Sequence, residues 1–310
     1  MNISQMSARD LDDVASLCGQ ELVLDRYARS IPAVLARRPH IGLIATRGST
    51  TVGACIGSVA EDQDGAVEGF VDLLVVGRSS QRQGIGRELA NAMEEQLASR
   101  GCQLIHLSGH SPYYAWPGID VRYTAAVCFA EDLGYRRQEC EVNMDVDLLR
   151  APLDTGDAEE RLRSHGIEIR QAQASDDGPL QESLSSTWSP AWVTEITAAL
   201  RSGEAGLQVA ARDKQYVGFC AYGLNRPHEV GPVGTSPDLR KLGIGGALLK
   251  RSLADQRDHG LTVAELVWAG PLGYFSRTLH ATISRAFWLY TKDLASTGQP
   301  PDWRDRVGLL

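Results

Sequence analysis

The chain has 310 residues, which at roughly 150 residues per domain predicts two domains. It carries 39 Asp and Glu against 31 Lys and Arg, a formal net charge of −8, which makes it a poor candidate for general nucleic-acid binding. Its hydrophobic content of 43% is ordinary for a globular protein, and no apolar run approaches the ~20 residues that a membrane span needs.

The N-terminus and the cysteines favour a cytoplasmic protein. Residues Met1 to Ser4 provide neither the basic nor the apolar region of a secretory signal peptide. The six cysteines contain no C-x-x-C pair, and several lie in apolar patterns, which predicts reduced and mostly buried thiols. No His, Cys or Asp cluster has the spacing of metal ligands, so we expect no metal.

Hydrophobic spacing predicts alternating strands and helices in the first half, and therefore an α/β fold with a mixed sheet. In the helix at 84–99, Ile85, Leu89, Met93 and Leu97 recur every four residues, on one face. Strands are expected at 2–6, 41–47, 51–60, 69–76, 102–108 and 138–147, and helices at 8–19, 25–37, 84–99 and 124–133.

The second half shows the same order. Strands are expected at 167–172, 206–212, 215–223, 229–234, 261–268 and 282–291, and helices at 176–186, 190–201, 243–258 and 271–279. The stretch between the halves contains Pro152, Gly156 and a charged run, which is typical of a linker with a short helix. We therefore expect domains at 1–150 and 166–310, joined by a linker at 151–165.

The two halves repeat one pattern. The sequence Gly-Ile-Gly occurs at Gly84–Gly86 and again at Gly243–Gly245. Each copy is followed by a helical pattern that ends at a glycine, Gly101 or Gly260, 15 residues after the last glycine of the motif (101 − 86 and 260 − 245). A shared loop, helix length and stop signal indicate duplication of one domain.

Both glycine motifs lie between an apolar strand and a helix, where they can bind a pyrophosphate. The first turn of a helix has unpaired N–H groups and a positive dipole end, and glycines let the backbone approach an anion closely. The expected binding residues are Gln81, Arg82, Gln83, Gly84, Ile85, Gly86 and Arg87 in the first copy, and Arg240, Lys241, Leu242, Gly243, Ile244, Gly245 and Gly246 in the second. A dinucleotide-binding motif would need a third glycine, but Leu89 and Leu248 occupy that position.

The pattern Q/R-x-x-G-x-G after an apolar strand resembles the acetyl-CoA signature of the GNAT superfamily of N-acetyltransferases, and the order of elements resembles that fold over nearly the whole chain. The resemblance implies two tandem domains, each with a mixed, mostly antiparallel sheet flanked by helices, and acetyl-CoA as co-substrate. It also implies that strand residues pair with the pantetheine arm beside a splay between two strands: Leu74, Val75 and Val76, and Val233, Gly234 and Thr235. The segments 111–120 and 284–288 are similar, more loosely, to tandem GNAT proteins of amino-sugar metabolism.

GNAT enzymes often place a tyrosine acid in a pattern like F-Y-E-x-x-G-F. Here Ala130 replaces that tyrosine in the first half, and in the second it is either missing, as Phe275, or shifted to Tyr274. Substitute acids are Tyr274 or Tyr290 in the second half and Tyr113 or Tyr123 in the first.

The amine must lose a proton, so a carboxylate or His is expected as base. Candidates are Glu265 and Glu229 in the second half, and His106, His110 and Asp72 in the first. Because Glu265 lies among apolar strand residues, we expect burial to raise its pKa. This favours the second half as the catalytic one, with Glu265 as base and Tyr274 as acid; His110 and Tyr123 are the alternatives in the first half.

The first half contains an insert of about 14 residues relative to the repeat, at 109–122. Its aromatic and polar residues are expected to contact the acceptor: Tyr113, Tyr114, Trp116 and Asp120. The alternative is a loop that packs over the domain interface.

The sequence thus predicts acetyl transfer from acetyl-CoA to a primary amine of a small molecule, with an amino sugar as one candidate. The alternatives are a non-catalytic acyl-CoA-binding sensor and a chain with one catalytic and one structural half. We expect a monomer or homodimer with no nucleic-acid or membrane partner.

Overall fold

The computed structural model describes residues 1–61, 64–213 and 215–294. They form two compact units. Unit 1 combines Met1–Glu141 with the described residues from Phe287 onward, and unit 2 is Val142–Ala286. Among the described residues, no helix is both long enough and apolar enough to cross a membrane.

Unit 1 has a sheet with helices on both faces. Its strands are β1 (Asn2–Gln5), β2 (Ile41–Arg47), β3 (Thr50–Glu61), β4 (Val67–Val76), β5 (Leu104–His106), the short β6 (Ile119–Asp120) and the first part of β7 (Arg136–Asp147). Its helices are α1 (Leu11–Glu21), α2 (Ile31–Leu35), α3 (Ile85–Ala98) and α4 (Thr124–Asp132). Strands β1 to β4 pair antiparallel in order, and β4 pairs parallel with β5.

Unit 2 repeats this arrangement. Its helices are α5 (Gly156–Ser164), α6 (Asp177–Ser185), α7 (Pro190–Ser202), α8 (Ile244–Asp258) and α9 (Leu272–Leu279). Its strands are β8 (Glu168–Gln171), β9 (Gly206–Arg212), β10 (Gln215–Tyr222), β11 (Glu229–Thr235) and β12 (Val263–Leu266), followed by β13 (Thr282–Asp293). Strands β8 to β11 pair antiparallel in order, and β11 pairs parallel with β12. The predicted fold class, two α/β repeats with mixed sheets, is confirmed.

The boundaries of the two units differ from the expected domain boundaries at 150 and 166. The end of β7 pairs with β12 inside unit 2, for example Val146 opposite Ala264. The end of β13 pairs with β5 inside unit 1, where Thr291 lies opposite His106. The last strand of each sheet therefore comes from the other half of the sequence. A strand's own side-chain pattern does not specify the sheet that it joins, because that depends on its pairing partner.

Several predicted elements are shorter in the structure, among them the strand expected at 261–268, which is limited to Val263–Leu266. The helix expected at 25–37 is limited to Ile31–Leu35, because Tyr27 has a left-handed backbone (φ 58°) and a 3-10 turn follows. The strand expected at 102–108 is limited to Leu104–His106.

The predicted apolar face of α3 lies in the core of unit 1. Each of Ile85, Leu89, Met93 and Leu97 is at most 1% exposed, and all four pack against the sheet. Burial of each such side chain contributes about 1.5–3 kcal/mol, so this stripe fixes α3, and with it the glycine loop that precedes the helix.

Strand β4 carries a bulge at the point where it leaves β5. Val71 lies opposite Gly57 and Leu73 opposite Ile56, which leaves Asp72 as the extra residue. The pairing of β4 with β5 covers Glu68–Phe70 and ends there, so the two strands splay from Val71 onward. In unit 2 the corresponding pairing covers Glu229 and Val230.

Candidate active site

The two glycine loops have the backbone geometry expected of an anion site. Gly84 (φ 88°) precedes α3, and Gly243 (φ 91°) precedes α8, both in the left-handed region that glycine adopts at no steric cost. Arg82 (φ 60°) and Lys241 (φ 77°) are also left-handed, which costs energy for residues with a side chain. The same strained turn in both repeats indicates a shared requirement of the loops.

Side chains hold the first loop in position. Gln81 donates a hydrogen bond from Nε2 to the carbonyl oxygen of Val76, at 2.8 Å. Gln83 donates from Nε2 to the carbonyl oxygen of Ser79, at 3.1 Å. These contacts tie the loop to the end of β4.

Four polar side chains of unit 1 meet at the splay: Arg38, Ser58, Asp72 and His110, here called the Asp72 cluster. Arg38 forms an ion pair with Asp72 in which the side chains are 6% and 1% exposed. Ser58 donates from Oγ to Asp72 Oδ2 at 2.6 Å, and His110 Nε2 lies 3.1 Å from Ser58 Oγ. The bulge at Asp72 thus turns a carboxylate out of the strand pattern and into a buried polar chain.

Backbone contacts fix the histidine of the Asp72 cluster. Arg38 donates from Nη1 to the carbonyl oxygen of His110 at 2.7 Å, and His110 Nδ1 lies 2.9 Å from the carbonyl oxygen of Ser111. Since a carbonyl can only accept, the proton of the neutral ring is on Nδ1 and the lone pair is on Nε2. The His110 ring also packs against Phe70, with 4.5 Å between ring centroids.

Burial moves the pKa values of Asp72 and His110 in opposite directions. Desolvation raises the pKa of Asp72 to about 6, although Arg38 and Ser58 stabilise the charged form. Desolvation also lowers the pKa of His110 to about 4, and the positive charge of Arg38 adds to this effect. A proton taken up by this pair is therefore more stable on Asp72.

The repeat in unit 2 carries no counterpart of the Asp72 cluster. The strand registers and the spacing to the glycine loop place glycines at the positions equivalent to Arg38, Ser58 and Asp72. Asp72 corresponds to Gly231 by the offset 243 − 84 = 159, and His110 lies in the insert at 109–122, which the second repeat lacks. Ser58 and Arg38 correspond to Gly223 and Gly203, by the offset 206 − 41 = 165 of the first sheet strands.

Glu265, the expected base of unit 2, is a buried and firmly paired anion. Asn143 donates to its Oε1 at 2.6 Å, and His228 Nε2 lies 3.0 Å from its Oε2. Desolvation raises its pKa, but these two hydrogen bonds and the positive charges of Arg285 and Arg226 together outweigh burial and lower the pKa to about 2. The expectation of a raised pKa was wrong, because the apolar sequence neighbours do not reveal the polar partners that tertiary folding brings.

Other side chains near the splay of β11 and β12 in unit 2 are paired or packed. Glu229 binds the guanidinium of Arg226, and both side chains are buried. The indoles of Trp188 and Trp192 stack at 5.5 Å, and a Cβ on Gly234 would meet the Trp188 ring at 2.7 Å. The strand expected to pair with pantetheine is thus covered on one face by an aromatic ring.

The tyrosine candidates have different environments. Tyr274 is 37% exposed, and its hydroxyl lies 2.9 Å from the position of a Cβ on Gly246, beside the second loop. Tyr290, expected in the second half, belongs to unit 1 and donates to Glu131 at 2.9 Å. Tyr123 donates to Asp25 Oδ2 at 2.7 Å.

The insert of unit 1 is mostly occupied with packing. Trp116 donates from Nε1 to Asp25 Oδ1 at 2.7 Å. Tyr114 is buried (8% exposed), and the carboxylate of Asp120 accepts two hydrogen bonds from Arg122 Nε and one from its Nη2. Tyr113 lies under the guanidinium of Arg37, 5.8 Å from its ring centroid.

Sequence reasoning missed Arg38 and Ser58. Arg38 follows α2, and Ser58 lies among the apolar residues of β3. The polar residue at this position of a buried strand was the one available signal, since a buried hydroxyl needs a partner. In the described part of the chain, no three His, Cys, Asp or Glu side chains form a group that could hold a metal ion.

Comparison with known families agrees with this architecture. The profile of the acetyltransferase (GNAT) family matches residues 9–114 and again residues 171–270. These segments make up more than half of the chain, and the protein belongs to this family, whose members are in general acetyl-CoA-dependent acetyltransferases. A search of curated proteins finds no match.

Solved structures share the fold at low sequence identity. A glucosamine N-acetyltransferase region of a fungal multi-domain GH3 β-N-acetylglucosaminidase aligns over 94% of this chain with TM-score 0.77 and 18% identity, and the alignment covers 38% of that chain. A tandem GNAT protein from the clavulanic acid biosynthesis pathway aligns over 96% of this chain and 99% of its own, with TM-score 0.69 and 17% identity. A GCN5-related N-acetyltransferase from Sphaerobacter thermophilus aligns over 94% and 95%, with TM-score 0.66 and 17% identity.

Proposed function

We propose that this protein transfers the acetyl group of acetyl-CoA to a primary amine of a small molecule, and that the chemistry takes place in unit 1. The observation that carries this proposal is the Asp72 cluster, which lies where β4 and β5 splay apart, on the strand that leads to the first glycine loop. An amine attacks a thioester only after losing its proton, and this cluster supplies a buried carboxylate and a neutral imidazole at that place.

Acetyl-CoA supplies the activated acetyl group, and the chain supplies its binding surface. The N–H groups at the start of α3 and the left-handed turn at Gly84 suit a pyrophosphate, and Arg82 and Arg87 add positive charge close to the loop. The open edge of β4 beyond Phe70 suits an extended arm with amide groups, because its N–H and C=O groups are not used by β5.

Unit 2 is proposed as a structural or ligand-holding half without chemistry. Glycine occupies the positions equivalent to Arg38, Ser58 and Asp72, and unit 2 lacks the insert that carries His110. Glu265 has too low a pKa to accept an amine proton efficiently near neutral pH. This reverses the preference drawn from the sequence, which had Glu265 as base and Tyr274 as acid.

An amino sugar is the proposed acceptor class. The support is the likeness of fold to a glucosamine N-acetyltransferase region, together with the rings beside His110: Phe70 packs against it, and the His106 ring stacks on Phe70 at 4.8 Å. Flat rings beside polar groups suit the face and hydroxyls of a sugar.

The test is thiol release from acetyl-CoA with a panel of amines that includes glucosamine, an amino acid and a polyamine. Gly84→Asp and Gly243→Asp form a matched pair, because each puts a carboxylate in one loop at a similar φ. We expect Gly84→Asp to abolish transfer and Gly243→Asp to leave most of it. The reverse result would place the chemistry in unit 2, and absence of transfer to every amine, with coenzyme A still bound, would favour a non-catalytic acyl-CoA sensor.

A further inference from the structure

We propose that Ser58 is a proton relay: the amine proton enters at His110 Nε2 and passes through the Ser58 hydroxyl to the carboxylate of Asp72. This inference rests on the proposed function and goes beyond it, because it assigns a role to a serine in the middle of an apolar strand. Three contacts define the path: Ser58 Oγ to Asp72 Oδ2 at 2.6 Å, Ser58 Oγ to His110 Nε2 at 3.1 Å, and the part-exposed ring of His110 at its outer end.

Counting hydrogens shows why the chain is a relay and not only a packing contact. His110 Nδ1 uses its hydrogen on the carbonyl oxygen of Ser111, so Nε2 carries a lone pair. Ser58 has one hydrogen, and the 2.6 Å contact to a carboxylate is the stronger of its two bonds, so that hydrogen goes to Asp72. In the resting state no hydrogen therefore lies between Ser58 Oγ and His110 Nε2. One added proton supplies it, and a continuous series of hydrogen bonds then joins His110 to Asp72.

The proton transfer conserves every proton and needs no further reactant. A proton from the ammonium group of the acceptor, directly or through one water, binds Nε2 of His110. That proton then moves to Ser58 Oγ as the hydrogen of Ser58 moves to Asp72 Oδ2. The imidazole is neutral again, the serine keeps one hydrogen, and the carboxylate has become a carboxylic acid.

The surrounding charges favour this end state. The groups that face the chain are Arg38 from the segment after α2, His106 from β5 and Cys55 from β3. Arg38 and His106 both lower the pKa of His110, and burial lowers it most, to about 4, while burial raises that of Asp72 to about 6. The proton accordingly comes to rest on the carboxyl group.

The main experiment compares the pH dependence of kcat in wild type, Ser58→Ala and Ser58→Thr. In wild type, activity should fall below about pH 6, where Asp72 is already protonated. In Ser58→Ala the acid limb should move toward pH 4, the value set by His110 alone, with a plateau lower by about tenfold or more because the base is weaker. Ser58→Thr keeps the hydroxyl and should restore the wild-type profile.

Ser252→Ala is the matched control. Ser252 is also fully buried, but its hydroxyl donates to the carbonyl oxygen of Leu248, one turn earlier in α8 of unit 2. Its removal should leave the pH profile where it is. A profile of Ser58→Ala that coincides with wild type, in a folded variant, overturns the relay while leaving the transferase proposal intact.

A second measurement needs no activity and therefore separates the two proposals. The nitrogen NMR shift of His110 Nε2 should change at the same midpoint as the carboxyl carbon of Asp72, since protonation of Asp72 turns the Ser58 hydroxyl toward the ring. In Ser58→Ala the Nε2 shift should no longer follow that midpoint. If Nε2 ignores the titration of Asp72 in wild type, the relay is refuted whether or not any amine is acetylated.

Discussion

Replacing Glu265 with Gln tests whether this carboxylate is a structural anion or a base. In the folded protein, desolvation raises its pKa, but hydrogen bonds from His228 and Asn143 and the charges of Arg285 and Arg226 hold it at about 2 against an ordinary value of 4.5. At about 1.4 kcal/mol per pKa unit, this difference means that the charged form contributes about 3 kcal/mol to the stability of unit 2. That is a large part of the about 5–15 kcal/mol that stabilises a typical domain.

The pH dependence of this contribution has a defined sign. Because the pKa of Glu265 is depressed by folding, its contribution is fully present above pH 4.5 and is lost as the pH falls toward about 2. Urea unfolding of the wild type and of Glu265→Gln should therefore differ by about 3 kcal/mol at pH 7 and by much less near pH 3. Amide exchange along β12 should increase in the variant, since Glu265 lies on that strand.

The same variant should keep its kcat and its acid limb, because the proposed chemistry is in unit 1. Glu182→Gln, on the exposed face of α6, is the matched control and should change stability by less than about 0.5 kcal/mol. A Glu265→Gln protein with wild-type stability and a kcat reduced at all pH values would refute this reasoning and make Glu265 the base after all.

Three further results are expected. Gly84→Asp should weaken coenzyme A binding in calorimetry by tenfold or more, whereas Gly84→Ala, which adds only the backbone strain of φ 88°, should weaken it far less. Equal coenzyme A affinities of the two variants would exclude this loop from the phosphate site. Trp116→Phe removes the hydrogen-bond donor to Asp25, so it should lower the free energy of unfolding in urea by about 1–3 kcal/mol without changing coenzyme A affinity. A changed acceptor KM at wild-type stability would instead place Trp116 in the acceptor pocket. Iodoacetamide should modify the exposed Cys128 and Cys140 in the folded protein and spare the four buried cysteines until it is denatured, as peptide mass spectrometry would show; early labelling at a buried cysteine would contradict this packing.

The sequence determined the duplication, the order of elements and the two loops. These features depend on local spacing: the apolar face of α3 follows from residues four apart, and the turn at Gly84 needs a residue that accepts a positive φ. Both are properties of a short segment and hold wherever that segment packs. The insert was also visible, since it interrupts the repeat, although Trp116 turns out to bind Asp25 and Asp120 turns out to bind Arg122.

Only the tertiary structure decided the polar partners and the exchange of the last strands. Arg38, Ser58, Asp72 and His110 are separated by 14 to 72 positions, and their contacts exist because a bulge in β4 turns one carboxylate toward groups from three other segments. Glu265 shows the converse, since its strand looks apolar and yet folding surrounds it with donors. A pKa depends on charges and hydrogen bonds within a few ångströms in space, and distance along the chain gives no measure of that.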